Sequence, residues 1–490
     1  MDLILRNARV LGDETVTTDI GIDKGRIALI APKLAADGET LDLGGRLVTP
    51  GLIETHIHLD KSRISHRCKA ERGDLEEAIG EVARQKKLFT AEDVYDRARV
   101  TLEHAILQGT THMRTQLEVD PGIGLRGLEG VRPLIEQYKW AIDLQICIFP
   151  QEGLLNNPGT DELMIAALKT GGTVVGGAPY TDSNPHGQID RIFEIAREFD
   201  IDIDMHLDFG PTPDDLDLLY VCDLTERFRW GGRVTIGHVT KLSAAPPELF
   251  AKCAKRMADA GVALIVLPST DLYLMGRHMK HSVMRGVTEA HKLLHHGVNC
   301  TLSTNNVLNP FTPFGDCSLV RMANIYANIC QVGSVHDTRE CFNMITTRSA
   351  TLMNLKDYGL EVGKPADLTV LDAASPEQAV AELSPVLHVF KRGRRTVTRA
   401  PAVLHRPHLT RPSHCERGIG GPACHPARSW CYPRSATLGF DIVSAASMVA
   451  MHPTLQRIDA RSEPPVNPLP SSAWRASSER RAHYPWYCCP

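Results

Sequence analysis

The sequence predicts an α/β protein built around a (β/α)8 barrel of the TIM type, with a small β-sandwich domain beside it. Three observations support this prediction. Short apolar strands alternate with helical stretches over residues 51–354, which is typical of a barrel of parallel strands. Histidines recur at the ends of several of these strands. Strand-and-turn patterns occupy residues 1–50 and 355–400, so we expect the sandwich to form from the two ends that flank the barrel.

The first 50 residues are predicted to form short strands joined by turns. Asp23-Lys24-Gly25 lies between the apolar runs 20–22 and 26–30, and a turn of this composition between two such runs indicates a β-hairpin. Residues 359–371 return to the same pattern. We therefore expect them to complete the domain that the first 50 residues begin.

Between residues 51 and 354, strands and helices are predicted in alternation. Helical spacing covers residues 78–88 and 91–107. The strands that follow are expected at residues 110–115, 144–149, 173–177, 201–206, 233–238, 263–267 and 299–303. Because active sites of (β/α)8 barrels lie at the carboxyl ends of the strands, polar residues at these ends are candidate site residues.

The composition excludes some classes of protein. Lys and Arg number 54 and Asp and Glu 58, for a net charge of −4, so the chain has no basic field that would attract a nucleic acid. No apolar run is long enough to cross a bilayer, and the first residues lack the pattern of a signal peptide. We expect a soluble, cytoplasmic homo-oligomer with no nucleic acid or membrane partner.

The composition changes beyond about residue 401. The last segment is dense in Pro, Arg, His and Ser and shows no sustained periodicity, so it cannot bury enough apolar surface to offset the entropy of ordering. It contains His414, Cys415, Cys424 and His425, but these residues do not have the spacing of a standard zinc site. We predict that residues 401–490 are disordered.

Four histidines mark strand ends. His56 and His58 follow the apolar run 47–53, and residues two apart on an extended strand point to the same side. His206 and His238 each end a short run of apolar, β-branched residues. Such a cluster of imidazoles suits a divalent cation.

These motifs resemble the amidohydrolase superfamily. The resemblance combines His56-Ile57-His58 after Pro50-Gly51, the histidines at 206 and 238, and the run Gly-x-x-x-Gly-Lys-x-Ala-Asp-Leu at residues 359–368. Three segments look like segments of cytosine deaminases: residues 109–115, 142–153 and 309–315. Residues 58–62 and 359–364 are similar to the isopropylammelide amidohydrolases of triazine breakdown, which share the cytosine deaminase architecture.

The resemblance implies a role for each matching residue. His56, His58 and His206 would bind one divalent ion, zinc or iron. His238 would lie beside the attacking water and help to orient or deprotonate it. Gln151 matches the residue that hydrogen-bonds the carbonyl and ring nitrogen of a pyrimidine, for which an amide is suited because it offers a donor and an acceptor.

Two residues depart from the family pattern. The relatives carry a metal-binding, proton-accepting Asp at the end of the eighth strand, where this chain has Asn305, and an amide cannot accept that proton. Cytosine deaminases carry a proton-shuttling Glu three positions after the third metal ligand, where this chain has Phe209. Phe209 can pack against a flat substrate but carries no proton.

Other side chains would therefore have to move the protons. Three neutral imidazoles can still hold a catalytic ion, and His238 becomes the predicted base. Asp60 and Lys61, just after the histidine pair, are predicted to supply the proton of the leaving group. Alternatively, Asp60 orients a ligand histidine and Lys61 is a surface charge.

The predicted function is that of a metal-dependent hydrolase or deaminase of the cytosine deaminase type. It would remove an exocyclic amine from a pyrimidine-like or triazine-like ring. Two alternatives stay open: a hydrolase that opens a cyclic amide, and a catalytically silent relative that only binds a heterocycle.

Overall fold

The computed structural model describes residues 1–405, and the predicted disordered tail lies outside the described residues from residue 406 onward. Five strands form the first part of a sheet: β1 (Leu3–Val10), β2 (Asp13–Asp23), β3 (Arg26–Ala31), β4 (Glu39–Asp42) and β5 (Leu47–Pro50). β2 and β3 pair as an antiparallel hairpin. Its turn residues Lys24 and Gly25 have φ of 48° and 76°, the left-handed pair that tight hairpin turns require. The predicted hairpin is confirmed.

Eight parallel strands follow and form the barrel. They are β6 (Leu52–Ile57), β7 (Thr110–Glu118), β8 (Asp143–Phe149), β9 (Val174–Val175), β10 (Asp202–Leu207), β11 (Val234–His238), β12 (Val262–Val266) and β13 (Cys300–Leu302). Each pairs with the next in chain order. The circle closes just beyond β13, where the Asn305 N–H donates to the His56 carbonyl and the His58 N–H donates to the Asn305 carbonyl, both at 2.9 Å. The predicted barrel is confirmed.

The barrel strands differ most in length from the prediction at β9 and β7. β9 has two residues instead of five. Just after it, a Cβ on Gly176 would lie only 2.4 Å from the Asp204 carbonyl oxygen of the neighbouring strand, so this close approach requires glycine. β7 runs three residues further than predicted, to Glu118. The carboxylate of Glu118 therefore reaches the carboxyl end of the barrel.

Thirteen helices pack around these strands in the described part of the chain. They are α1 (Leu75–Lys86), α2 (Ala91–Leu107), α3 (Arg126–Tyr138), α4 (Thr160–Thr170), α5 (Pro185–Phe199), α6 (Asp217–Phe228), α7 (Pro247–Ala260), α8 (Pro268–Leu274), α9 (Ala290–His295), α10 (Leu319–Ile329), α11 (Val335–Asn343), α12 (Thr347–Leu352) and α13 (Pro376–Glu382). The Asp74 carboxylate caps α1 by accepting the Glu77 N–H, and the Thr90 hydroxyl caps α2 in the same way. Among residues 1–405, none of the helices combines the length and apolar character that spanning a membrane requires.

The chain then returns to the first sheet. β14 (Leu368–Leu371), β15 (Val386–Lys391) and β16 (Arg394–Thr398) extend it, and β14 pairs antiparallel with β5. All eight strands share one mixed sheet that branches at β1, with its own apolar core around Leu5, Ile20 and Phe390. The small β domain assembled from both flanks of the barrel is thus confirmed.

Candidate active site

Three histidines converge at the carboxyl end of the barrel. Nε2 of His206 on β10 lies 3.1 Å from Nε2 of His56 on β6 and 3.2 Å from Nε2 of His58, which follows β6. All three side chains are buried. Burial and the nearby ammonium of Lys61 hold the pKa of His58 well below its usual value, so the ring stays neutral. Neutral imidazoles whose ring nitrogens meet at one point fit a single divalent cation.

A buried carboxylate supports this cluster from behind. Asp204, two residues before His206 on β10, has Oδ1 3.6 Å from Nδ1 of His56, and its Oδ2 accepts a hydrogen bond from Nη1 of Arg114 at 3.0 Å. Burial favours the neutral acid, but the contacts with His56 and Arg114 hold the pKa of Asp204 below its usual value. A charged carboxylate behind a ligand histidine is the common way to fix the orientation of its ring.

His238 stands beside the three candidate ligands and has its own carboxylate partner. Its ring centroid lies 5.5 Å from that of His206. Its Nδ1 is 2.5 Å from Oδ1 of Asp271, a fully buried residue of α8. Asp271 is not among the site residues that the sequence predicts. The signal that could have found it is its position in the turn of helix directly after β12, at the same end of the barrel as the histidines.

Asn305 lies where the eighth strand ends, three residues beyond β13, and lines the same cavity as His206 and His238. Its backbone has a left-handed φ of 66° and closes the barrel. Its side-chain Oδ1 is buried and has no hydrogen-bond partner among the described residues. The position that the resemblance assigns to a carboxylate is therefore occupied by a neutral, unpaired amide oxygen.

The remaining cavity walls bring together the predicted substrate-binding residues. Gln151 follows β8 and Phe209 follows β10, and both line the cavity with Tyr180 and Phe311. Oε1 of Gln151 accepts a hydrogen bond from Nζ of Lys61 at 3.2 Å, whereas its Nε2 is buried without a partner in the described chain. The Phe209 ring stands edge-on to His238, with centroids 5.2 Å apart.

Lys61 is a buried cavity residue, so the alternative of a surface charge is wrong. Its side chain is 2% exposed, and its Nζ donates to Oε1 of Glu118 at 2.6 Å and lies 4.3 Å from the centre of the Phe311 ring. Glu118 in turn accepts from Nζ of Lys86 at 2.9 Å. Although burial opposes it, contact with these two ammonium groups lowers the pKa of Glu118 to about 2.

Asp60 does not join the cavity. Its two carboxylate oxygens accept the backbone N–H groups of Lys61 and Glu118, each at 2.9 Å. Burial and the neighbouring charge of Glu118 raise the pKa of Asp60 to about 6. These contacts position the backbone beside Lys61, and the carboxylate that approaches a candidate ligand histidine is that of Asp204.

Behind Lys61, the ammonium of Lys86 holds three carboxylates together. Besides Glu118 it contacts Asp120 and Glu152, the latter at 2.5 Å. Burial and the charge of Glu118 raise the pKa of Glu152 to about 7. The folded state therefore binds a proton at Glu152 in a pH range where an unfolded Glu, with a pKa of about 4.3, does not.

This shift predicts a pH-dependent stability. Because the folded state holds the extra proton between about pH 4.3 and 7, the free energy of unfolding should fall as the pH rises through this range. We expect Glu152→Gln to remove this fall, roughly 2–3 kcal/mol between pH 5 and 8, in urea unfolding curves. The exposed control Glu198→Gln should follow the wild-type curve. Parallel curves for wild type and Glu152→Gln would contradict the prediction.

Comparison with known proteins agrees with this geometry. The model of the amidohydrolase family matches residues 141–397, more than half of the chain. The N-isopropylammelide isopropyl amidohydrolase of Pseudomonas sp. (strain ADP) is 30% identical over 405 residues, covering 80% of this chain and 96% of that protein. The pterin deaminase of Rhizobium rhizogenes is 28% identical over 361 residues, covering 72% and 82%.

A solved structure shows the same architecture. The 5-methylcytosine deaminase of Klebsiella pneumoniae, liganded with 5-fluorocytosine, superposes with a TM-score of 0.79 at 28% identity, covering 82% of this chain and 99% of that one. The family match and these relatives agree with the barrel and its histidine cluster. This chain therefore belongs to the amidohydrolase family, in its cytosine deaminase-like branch.

Proposed function

We propose that this protein is a metal-dependent hydrolase that replaces an exocyclic amine or alkylamine on a pyrimidine-like or triazine-like ring with oxygen. The observation that carries the proposal is the convergence of three neutral imidazoles beside His238, in a cavity that also presents the Gln151 amide. The names of the relatives support it, since isopropylammelide, pterin and 5-methylcytosine are all nitrogen heterocycles.

His56, His58 and His206 would hold one divalent ion, zinc or iron. When bound, the ion supplies Lewis acidity and makes water a better nucleophile near neutral pH. The buried Nδ1 atoms of these rings have no hydrogen-bond partner among residues 1–405, and their Nε2 atoms are the ones that meet. This arrangement fits ligation through Nε2.

The opposite wall of the cavity would recognise the ring. Because Oε1 of Gln151 is already engaged by Lys61, the free Nε2 makes this side chain a donor toward a ring carbonyl or ring nitrogen. The Lys61 ammonium has three N–H groups and uses two of them on Glu118 and Gln151. The third is available for an oxygen on the ring, while Phe209 and Phe311 pack against its faces.

Hydrolysis then needs one base and one acid. Since Nδ1 of His238 is engaged by Asp271, its Nε2 is the atom free to accept a proton from the attacking water. The water oxygen bonds to the ring carbon, the carbon–nitrogen bond breaks, and the proton passes to the departing amine. Lys61 is the second group placed to deliver a proton, because its ammonium lies inside the same cavity.

A panel of aminated heterocycles tests this proposal. We expect the metal-loaded protein to release ammonia or alkylamine from at least one amino-pyrimidine, amino-pterin or alkylamino-triazine, with a product that retains the ring by mass spectrometry and ultraviolet absorption. Gln151→Leu should raise KM about 10-fold or more, since it removes a buried donor to the substrate. The matched control Gln137→Leu changes an exposed amide on α3 and should leave KM unchanged.

Two outcomes would contradict it. A ring-opened product would assign the protein to the cyclic amide hydrolases. Binding of these heterocycles without any turnover by the metal-loaded protein would identify it as a catalytically silent relative.

A further inference from the structure

We propose that Asp271 takes over, through His238, the anionic role that is missing at Asn305, and is therefore a positioning residue of the reaction. The inference rests on the proposed function, in which His238 accepts the proton of the attacking water.

The contact between Asp271 and His238 is short, buried and exclusive. Oδ1 of Asp271 lies 2.5 Å from Nδ1 of His238, and the Asp271 side chain is fully buried. Within residues 1–405, His238 is its only ion-pair partner, and its Oδ2 accepts the Leu267 N–H at 3.3 Å. The negative charge of Asp271 is therefore directed at one imidazole.

This contact selects one form of the His238 ring. A carboxylate accepts hydrogen bonds and cannot donate them when ionised, so it holds the ring proton on Nδ1. The lone pair then lies on Nε2, the nitrogen on the opposite side of the ring. The His238 side chain lines the cavity together with His58 and His206. Fixing the tautomer in this way is what orienting carboxylates do for catalytic histidines.

The backbone at His238 and Val239 has an unusual conformation that hydrogen bonds stabilise. His238 and Val239 both adopt left-handed conformations, with φ of 70° and 49°, and such conformations are costly for a β-branched residue like valine. The Val239 N–H donates to the Leu207 carbonyl at 3.1 Å, and its carbonyl accepts from the Thr288 hydroxyl at 2.7 Å. These bonds fix the backbone of the residue that directly follows His238.

Asn305 provides the contrast. Its amide oxygen lies in the same cavity wall without a hydrogen-bond partner in the described chain, and it is neutral. The carboxylate expected at the end of β13 is thus absent, while α8 supplies one behind the proposed base. The charge acts on the reaction only through the imidazole.

Asp271→Asn tests this assignment because an amide has nearly the same shape but can stabilise either tautomer of the ring. With a heterocycle that wild type turns over, we expect kcat to fall about 10²–10⁴-fold, with KM within about threefold and metal content unchanged. The matched control Asp337→Asn removes a carboxylate that lies 3.0 Å from the exposed ring of His295 on the protein surface, and should leave kcat unchanged. A kcat within about threefold of wild type in Asp271→Asn would overturn the inference.

The protonation of the two ring nitrogens of His238 can also be measured without turnover, so this test still applies if the proposed function is wrong. Nitrogen-15 spectra of histidine-labelled protein, assigned by difference with His238→Gln, should show Nδ1 of His238 protonated and Nε2 unprotonated in wild type. Asp271→Asn should mix or reverse the two forms. The same spectrum in both proteins would overturn the inference, whereas the expected change in a protein that turns over no heterocycle would reject the proposed reaction alone.

Discussion

Replacing His206 with alanine is expected to reduce the bound divalent metal to below about a tenth of the wild-type level and to lower kcat/KM by at least about 10³-fold. Nε2 of His206 is within 3.2 Å of both other ring nitrogens, so its removal leaves two of the three proposed ligands. Metal analysis after exhaustive dialysis, followed by assay at saturating added metal, measures the two effects separately.

A buried histidine outside the cavity provides the control. His291 contacts the Tyr326 hydroxyl through Nδ1 at 2.8 Å, so His291→Ala also truncates a buried imidazole but should keep the metal. The His206 ring stacks on Phe149 with centroids 4.6 Å apart, and thermal unfolding of both variants corrects for lost packing. An unchanged metal content in His206→Ala would remove this residue from the ligand set.

Lys86→Met is expected to lower the free energy of unfolding by about 3–5 kcal/mol at pH 7.5. The Lys86 ammonium, with a side chain 1% exposed, contacts Glu118, Asp120 and Glu152. Its removal leaves a group of buried carboxylates without their shared cation, and each of them loses a charged hydrogen-bond donor. Equilibrium unfolding in urea measures the loss.

The exposed pair Lys255 and Asp259 gives the matched comparison. Their side chains are 75% and 47% exposed, so Lys255→Met should cost at most about 0.5 kcal/mol. The cost of Lys86→Met should also shrink near pH 5, because Glu152, with its pKa raised to about 7, is then neutral. A loss below about 1 kcal/mol at pH 7.5 would show that water reaches the carboxylates and screens them.

The histidines could be predicted because their positions follow from local pattern alone. A histidine that ends an apolar strand lies at the carboxyl end of a parallel barrel, so the sequence alone predicts that His56, His206 and His238 lie together. Gln151 and Phe209 follow their strands by two residues and are predictable for the same reason.

The partners of these residues could not be predicted in the same way. Asp271 belongs to a helix and Glu118 to an unexpected extension of β7, and which of them meets His238 or Lys61 depends on how separate loops cross the barrel mouth. Asp60 is the opposite case: the sequence predicts it as a proton donor in the site, but it does not line the cavity. It lies past the end of β6, where the alternation of strand faces no longer applies, and its side chain turns to backbone N–H groups instead of the cavity.

The pairing of β5 with β14 has a consequence for how this chain is made. β5 is buried along its whole length, lies between β1 and β14 in the sheet, and is separated from β14 by the entire barrel sequence. At roughly 5–20 residues per second on the ribosome, one side of β5 waits for tens of seconds with its backbone groups unpaired. Until β14 emerges, this edge is a point where a nascent chain can pair with a neighbour or be held by a chaperone.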